Sequence, residues 1–156
     1  MRNGKRMAVG VGMAVFLAVA GGALAHEGAR HMTGPAKARH DAMVAIKEHF
    51  VPLVKMVKGA IPFDAATVRK NAEVMARKLE EASKLFPEGS DQGETRAKPE
   101  IWLLEDEFQG LFKTAIEKAK ALTRVRKPEE LAPAVMALGG QGCKACHEKF
   151  RAPKKN

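Results

Sequence analysis

Two cysteines and a histidine near the end of the chain form the clearest chemical motif of the sequence. Cys143, Cys146 and His147 have the spacing Cys-x-x-Cys-His, which is the attachment site of c-type haem. In such a site two thiols add to the two vinyl groups of a haem, and the imidazole reaches the iron as an axial ligand. Residues three and four apart share one side of a helix, so the spacing allows all three side chains to serve one haem.

The same cysteines have two other interpretations, a disulfide or redox pair and a zinc site. A thioredoxin-like pair needs a strand–helix–strand context, and the sequence predicts no strands around it. Two thiolates and one adjacent histidine leave the fourth zinc ligand unspecified. One covalently attached haem c, with its iron, is therefore the cofactor that we expect.

The N-terminal 25 residues predict export, which the haem chemistry requires because the holo-protein is assembled outside the cytoplasm. Three cations lie within residues 1–6, an uncharged apolar run follows at 7–20, and a small-x-small cleavage site ends at Ala25. The apolar run is short for a bilayer and has no basic residues after it, so no membrane span is expected to remain after cleavage. We predict a periplasmic protein cleaved after Ala25.

Composition favours one helical domain behind this signal peptide. The 156 residues contain one Trp and no Tyr, and their formal charge of +9 becomes +6 when the three signal-peptide cations are removed. Scarce aromatics with abundant Ala, Lys, Glu and Leu favour helices over sheets. Two cysteines are too few for a fold held together by several disulfides. Nucleic acid binding is not expected, because arginines and aromatic residues are not interleaved. We predict a flexible lead-in at 26–34 and a helical domain at 35–156.

Apolar periodicity predicts the first two helices. The first begins near Pro35 and ends near Gly59, with a kink or break at Pro52 and with Met43, Ile46, Phe50, Leu53 and Val57 on its core-facing stripe. The second has Asp64 as its N-cap, carries its stripe as far as Phe86, and is ended by Pro87.

The second half of the chain predicts a long loop and two more helices. The loop runs from Pro87 to Pro99 without periodicity, and a third helix covers Glu100 to Val125 with Leu104 among its inward positions. A fourth helix begins at Pro128, is interrupted by three glycines at 139–142, and resumes as a short helix through Arg151. The expected fold is all-α, an antiparallel up-down-up-down four-helix bundle with covalently bound haem.

The motif and its flanks resemble the class II cytochromes c, the cytochrome c prime family. The matching segments are C-K-A-C-H-E-K-F-R at 143–151, R-H-D-A-M at 39–43, V-K-G-A-I-P-F-D at 57–64 and K-P-E-I-W at 98–102. The resemblance covers essentially all of the chain after residue 25, although only the haem motif is specific. It implies a four-helix bundle around one haem, and it also implies homodimers formed through the first two helices.

The resemblance makes the residue at position 43 decisive for function. In one branch of the family the iron is five-coordinate under an apolar side chain of the first helix and binds nitric oxide or carbon monoxide. In the other branch a methionine fills that position and the protein carries electrons. The matching residue is Met43, and the segments 85–91 and 95–102 look more like the second branch. We therefore expect His147 as proximal and Met43 as distal iron ligand, although Met43 shares the core stripe of the first helix.

Two arginines are candidate haem contacts. Arg39 lies one turn before Met43 on an apolar stripe, where a haem propionate would satisfy its guanidinium; its other interpretation is a surface arginine at a helix start. Arg151 follows His147 by four residues, and the resemblance places it beside the proximal histidine, where it limits access to the iron. Its other interpretation is a cation favoured by the helix dipole.

The leading functional expectation is single-electron transfer by a periplasmic monohaem cytochrome that is not an enzyme. Acidic redox proteins are its expected partners, and the docking face would consist of Lys144, Lys149, Lys154 and Lys155. The alternative is a five-coordinate cytochrome c prime that binds nitric oxide or carbon monoxide at an open distal site. A peroxide-reducing enzyme is a weaker alternative, because no distal His-Arg pair is recognisable.

Overall fold

The computed structural model describes residues 32–154, so the predicted signal peptide, most of the lead-in and Lys155 lie outside the described residues. The regular elements within that range are the helices α1 (Gly34–Val57), α2 (Ala65–Ala82), α3 (Glu100–Leu103), α4 (Glu105–Leu122), α5 (Pro128–Ala137) and α6 (Ala145–Phe150), with a π-helical segment, Leu138–Lys144, between α5 and α6. Within these residues the only β pairing is one isolated bridge between Ala97 and Arg151. None of the helices in this range is both long and apolar enough to cross a membrane.

The helices pack as a four-helix bundle, which confirms the predicted all-α fold. Helix α2 lies between α1 and α4, and α5 contacts both α1 and α4. The third position of the bundle is filled by α3 and α4 together, and the fourth by α5, the π-helical segment and α6. Apolar stripes of these elements form one core, whose largest fully buried side chains include Phe108, Phe150, Leu53, Met75 and Leu122.

Helix α1 begins one residue before the predicted Pro35 and continues through Pro52 without a break. A proline removes one backbone hydrogen bond, but Leu53 and Met56, directly after it, are buried in the core. Their burial keeps the last turn helical, so the expected break is wrong. Val57, the last predicted stripe residue, is 39% exposed because the helix ends there.

Helix α2 begins as predicted, because the Asp64 carboxylate accepts a hydrogen bond from the Thr67 backbone N–H at 2.5 Å. It ends at Ala82, earlier than expected, and Phe86 lies outside the helix. The ring of Phe86 packs edge-on against Phe108 with a centroid distance of 4.7 Å. Aromatic packing against α4 is therefore the physical reason why the chain leaves the helical path before Phe86.

The predicted third helix is interrupted at Leu104, which has φ −125° and ψ 47°. Leu103 is 77% exposed and Leu104 is 41% exposed, so the predicted inward position of Leu104 is wrong. Helix α4 then starts with three consecutive acidic residues, Glu105, Asp106 and Glu107. Carboxylates are favoured in the first turn by the helix dipole, which explains a new helix start at this point.

Three glycines precede the haem motif without interrupting the helix. Contrary to the prediction, the chain runs from α5 through a π-helical segment that contains Gly139, Gly140 and Gly142. At Gly142 a Cβ would lie 3.1 Å from the Cα of Ala115 on α4. The missing side chain lets the two backbones approach closely, and this fixes the position of Cys143 next to it.

The final helix ends at Phe150, so the predicted extension through Arg151 is wrong. Arg151 has an extended backbone and forms the bridge with Ala97. The argument that Arg151 follows His147 on one helical face therefore fails. The two residues are nevertheless neighbours, because both line the cavity described below.

Candidate haem site

A cavity of about 190 Å³ lies beside the haem motif at one end of the bundle. Helices α1, α3, α4 and α6 and the segment before α3 line it. Four aromatic rings form much of its wall: Phe86, Phe108, Phe112 and Phe150. Phe108 packs edge-on against Phe112 at 5.2 Å and against Phe150 at 5.1 Å between centroids, so these rings hold one another in place.

The motif residues meet at this cavity. Cys146 and His147 line it, and a second opening beside it is lined by Cys143 and again by His147. Both cysteines are free, half-buried and packed against the core. The histidine thus borders both openings, and each opening has one of the two thiols in its wall.

Burial sets the protonation of the motif. Desolvation raises the pKa of Cys143, and desolvation followed by the neighbouring Cys143 raises the pKa of Cys146 to about 11. Desolvation, then the charges of Arg151 and Arg96, lowers the pKa of His147 to about 4. The imidazole is therefore neutral at neutral pH and keeps one lone pair for a metal.

These pKa directions do not favour thiol exchange at the motif. Thiol exchange uses thiolates, whereas burial raises the pKa of both thiols. Residues 32–154 contain no group of three or more His, Cys, Asp or Glu side chains placed to hold a metal ion.

Helix α1 supplies the other side of the cavity. Met43 lines it with Ala36, Arg39 and His40, and Met32 lies ahead of the helix on the same cavity. Met43 is half-buried and packs against the core. The structure therefore brings Met43 and His147, the two predicted iron ligands, to one cavity from α1 and α6.

Arg39 is buried, with 6% of its surface exposed, so its interpretation as a surface arginine is wrong. Its Nη1 donates to the Leu85 carbonyl at 3.1 Å and to the Ser90 hydroxyl at 2.8 Å. Its Nη2 donates to the Ser90 carbonyl at 2.6 Å and to the Thr95 hydroxyl at 3.2 Å. The guanidinium also lies 4.9 Å from the Phe86 ring centroid. Burial lowers the pKa of Arg39, and Asp91 raises it.

The charged side chains in the cavity wall are cationic. Three arginines line it (Arg39, Arg96 and Arg151), and no carboxylate lines it among the described residues. Desolvation and then the like charge of Arg96 lower the pKa of Arg151, while the Arg96 Nε donates to the Ala152 carbonyl at 2.8 Å. A haem combines a flat apolar ring with two carboxylates. Aromatic walls, guanidinium groups and two free thiols fit that combination.

The predicted lysine face is partly neutralised. Lys149 pairs with Glu107 at 2.5 Å and Lys144 with Glu148 at 3.5 Å. Lys154 is exposed. Exposed ion pairs of this kind contribute little to stability, and each of the two reduces the net positive charge that could attract an acidic partner.

Several cavity residues were not found by sequence reasoning. Thr95 and Ala97 lie in a segment without periodicity, and His40 lies next to the predicted stripe of α1. Phe86 was predicted as a stripe residue of the second helix and not as part of the cavity wall. Trp102 packs against the core, and its Nε1 donates to the carbonyls of Phe86 and Pro87, each at 3.1 Å.

Comparison with known proteins gives a consistent result. The family model for Cytochrome C' matches residues 35–151. A cytochrome c' of Pararhodospirillum photometricum is 37% identical over 117 residues, which are 72% of this chain and 92% of that protein. The structure of cytochrome c' from Rhodopseudomonas palustris matches with a TM-score of 0.74 at 30% identity, over 80% of this chain and 100% of that one. A nitric oxide complex of a variant cytochrome c prime from Alcaligenes xylosoxidans matches with a TM-score of 0.69 at 27% identity, over 78% and 99% of the two chains. The chain belongs to the cytochrome c' family.

Proposed function

We propose that this protein is a periplasmic haem protein that binds a small gas, nitric oxide or carbon monoxide, on the α1 side of a covalently attached haem c. The family binds haem c. The observation that carries the proposal is the cavity that His147 of α6 and Met43 of α1 line together with four phenylalanine rings. A relative of the same fold has been solved as a nitric oxide complex, which supports the gas as ligand.

The residues of α6 would hold the cofactor. The thiols of Cys143 and Cys146 would form the two thioether bonds, and neutral His147 would bind the iron on its own side. When bound, the haem would supply an iron atom that can take a diatomic gas as a ligand. Burial first, and then the charges of Arg151 and Arg96, lower the pKa of His147 and so favour the neutral ring.

The α1 side suits an uncharged diatomic ligand. Its lining is mostly apolar, with Ala36 and Met43 from α1 and phenylalanine rings from the neighbouring elements. The terminal nitrogens of Arg39 already donate to the protein, so they need no anion in the cavity. A small gas has no charge to neutralise and fits such a wall.

The second candidate function is electron transfer, and a specific observation favours it. Met43 lies on the cavity that His147 also lines, which supports its thioether as a sixth ligand of the iron. A methionine ligand stabilises reduced iron and raises the reduction potential. In that case the α1 side would be closed to gases.

Absorption spectra of the exported, purified protein separate the two functions. We expect a broad high-spin spectrum of the reduced protein that shifts when carbon monoxide is added. Met43→Leu should leave this behaviour in place, as should the control Met136→Leu at a position that is 73% exposed. Sharp bands that ignore carbon monoxide in the wild type, and that become responsive only in Met43→Leu, would establish the electron carrier instead.

A further inference from the structure

Residues 85–98, which we call the strap, connect the two sides of the cavity. The strap lies between α2 and α3, and Phe86, Thr95, Arg96 and Ala97 from it line the cavity. It therefore forms a wall that neither α1 nor α6 provides. The contacts that hold each part of the strap determine how that wall can move.

Backbone bonds hold the end near α3. The Lys98 N–H donates to the Phe150 carbonyl at 3.1 Å, and the Ala152 N–H donates to the Arg96 carbonyl at 2.8 Å. These bonds flank the bridge between Ala97 and Arg151. This end of the strap is therefore fixed to the segment that carries the haem motif.

One side chain holds the middle of the strap. For residues 88–95, the only hydrogen bonds to another element within the described part of the chain come from Arg39 on α1. The remaining bonds of these residues are local: turns that involve Pro87, Gly93 and Ala97, and one side-chain bond from Gln92 to Asp91. Gly89 and Gly93 have positive φ values of 74° and 79°, so this part of the strap is a chain of turns without a packed helix of its own.

We propose that Arg39 is a positioning residue that latches the strap to α1, and that opening of this latch admits a small gas to the cavity. The proposal rests on the proposed function, because the gas is the ligand that passes. All four terminal N–H bonds of Arg39 have acceptors on the strap, and those acceptors lie 46 to 56 residues away in the chain. The same side chain lines the cavity, so it is placed where the wall would part.

A latch has a kinetic signature. Opening precedes both entry and escape of the gas, so a weaker latch speeds association and dissociation by the same factor and leaves the equilibrium constant unchanged. A contact to the haem carboxylates would act differently. Its loss would alter the reduction potential, while the rates of gas exchange would stay the same.

The main test is Ser90→Ala, which removes one acceptor of Arg39 and keeps the charge. We expect the association and dissociation rates of carbon monoxide with the reduced holo-protein each to rise about threefold to tenfold, in keeping with one hydrogen bond. Arg39→Lys, which cannot make the paired bonds, should raise both rates further. The matched control is Ser83→Ala, because the Ser83 hydroxyl donates only to the Glu80 carbonyl of its own helix.

A second measurement does not depend on gas binding. Amide hydrogen exchange of residues 88–95 in the holo-protein should quicken in Ser90→Ala and stay unchanged in Ser83→Ala. If the wild type does not bind carbon monoxide, the proposed function and the role of the latch in gas entry both fail, and the exchange data decide the latch alone. If the wild type binds the gas and Ser90→Ala matches Ser83→Ala in rates and in exchange, the latch is wrong. It is also wrong if Arg39→Lys changes only the reduction potential.

Discussion

The two sides of the cavity are built by different means. On the α6 side, a continuous helical path carries the motif, the missing side chain of Gly142 allows close contact with α4, and backbone bonds attach the following residues to the strap. On the α1 side, the middle of the strap is attached to the helix by one buried guanidinium and its four hydrogen bonds. The α6 side is thus held by the backbone, and the middle of the strap is held to α1 by a single residue.

This difference has a consequence for function. Backbone bonds and close packing break only when the surrounding helix unfolds, whereas one side chain can release its partners while the bundle stays intact. A cofactor that is attached covalently needs the first kind of support. A ligand that must enter and leave needs a wall of the second kind.

The largest effect should come from removing the attachment itself. The wild type is expected to have the mass of residues 26–156 plus one haem. Replacing both cysteines, Cys143→Ala with Cys146→Ala, should abolish covalent haem completely, because the chain has no other thiol. Intact-mass spectrometry of the exported protein checks this. Lys144→Ala, at an exposed position within the motif, is the control and should keep the haem; a double variant that retains covalent haem would refute the attachment.

Close packing on the α6 side gives the next largest effect. In Gly142→Ala the new methyl group would lie 3.1 Å from Ala115 Cα and Cβ and 3.2 Å from Leu138, so α4 and the π-helical segment must separate. Overpacking of this kind lowers the free energy of unfolding by about 1–3 kcal/mol. Urea denaturation of the holo-protein measures it.

The matched control for that substitution is two residues away. Gly140 is exposed, and a Cβ there would meet no atom within 4 Å. Gly140→Ala should leave stability unchanged or raise it by up to about 1 kcal/mol, because alanine restricts the unfolded chain. Equal stability of the two variants would mean that close contact at Gly142 does not support the motif.

The same contrast explains how far the sequence could be interpreted. The α6 side was predicted from adjacent residues, since the Cys143-to-His147 spacing is local. Stripes of period 3.6 predicted the bundle and the N-cap at Asp64. The predicted interruption at the three glycines, also a local inference, was wrong. A glycine-rich stretch predicts the end of a helix by propensity, but tertiary contact with α4 keeps this stretch helical.

The α1 side was predicted only in part. Met43 and Arg39 were found because they lie on one helical stripe. The acceptors of Arg39 were not found, because Ser90 and Thr95 lie in a segment with no periodicity and Leu85 accepts through its backbone carbonyl. The end of α2 before Phe86 was not predicted either. It depends on an aromatic contact between Phe86 and α4, and no pattern in the residues around Phe86 predicts that contact.

The smallest effect is expected from the charges on the outer face of α1. Asp41 pairs with Lys37 at 2.5 Å and lies 3.5 Å from His40, and its pKa is lowered first by the hydrogen bond from Lys37. The folded state therefore binds the proton less readily than the unfolded state. The stabilisation is present above the unfolded carboxyl pKa of about 3.9 and is lost as the pH falls through the lower folded value.

Asp41→Asn should consequently lower the urea midpoint slightly at pH 7 and should match the wild type near the acid end of the titration. The effect is small because both partners are 55% exposed and solvent screens their attraction. Glu48→Gln, at an exposed position of the same helix, is the control for loss of one negative charge. A loss in Asp41→Asn as large as that in Gly142→Ala would show that surface charge rather than the buried Arg39 holds the α1 side. A loss that persists once the carboxyl is protonated in both states would show that the ion pair is not its cause.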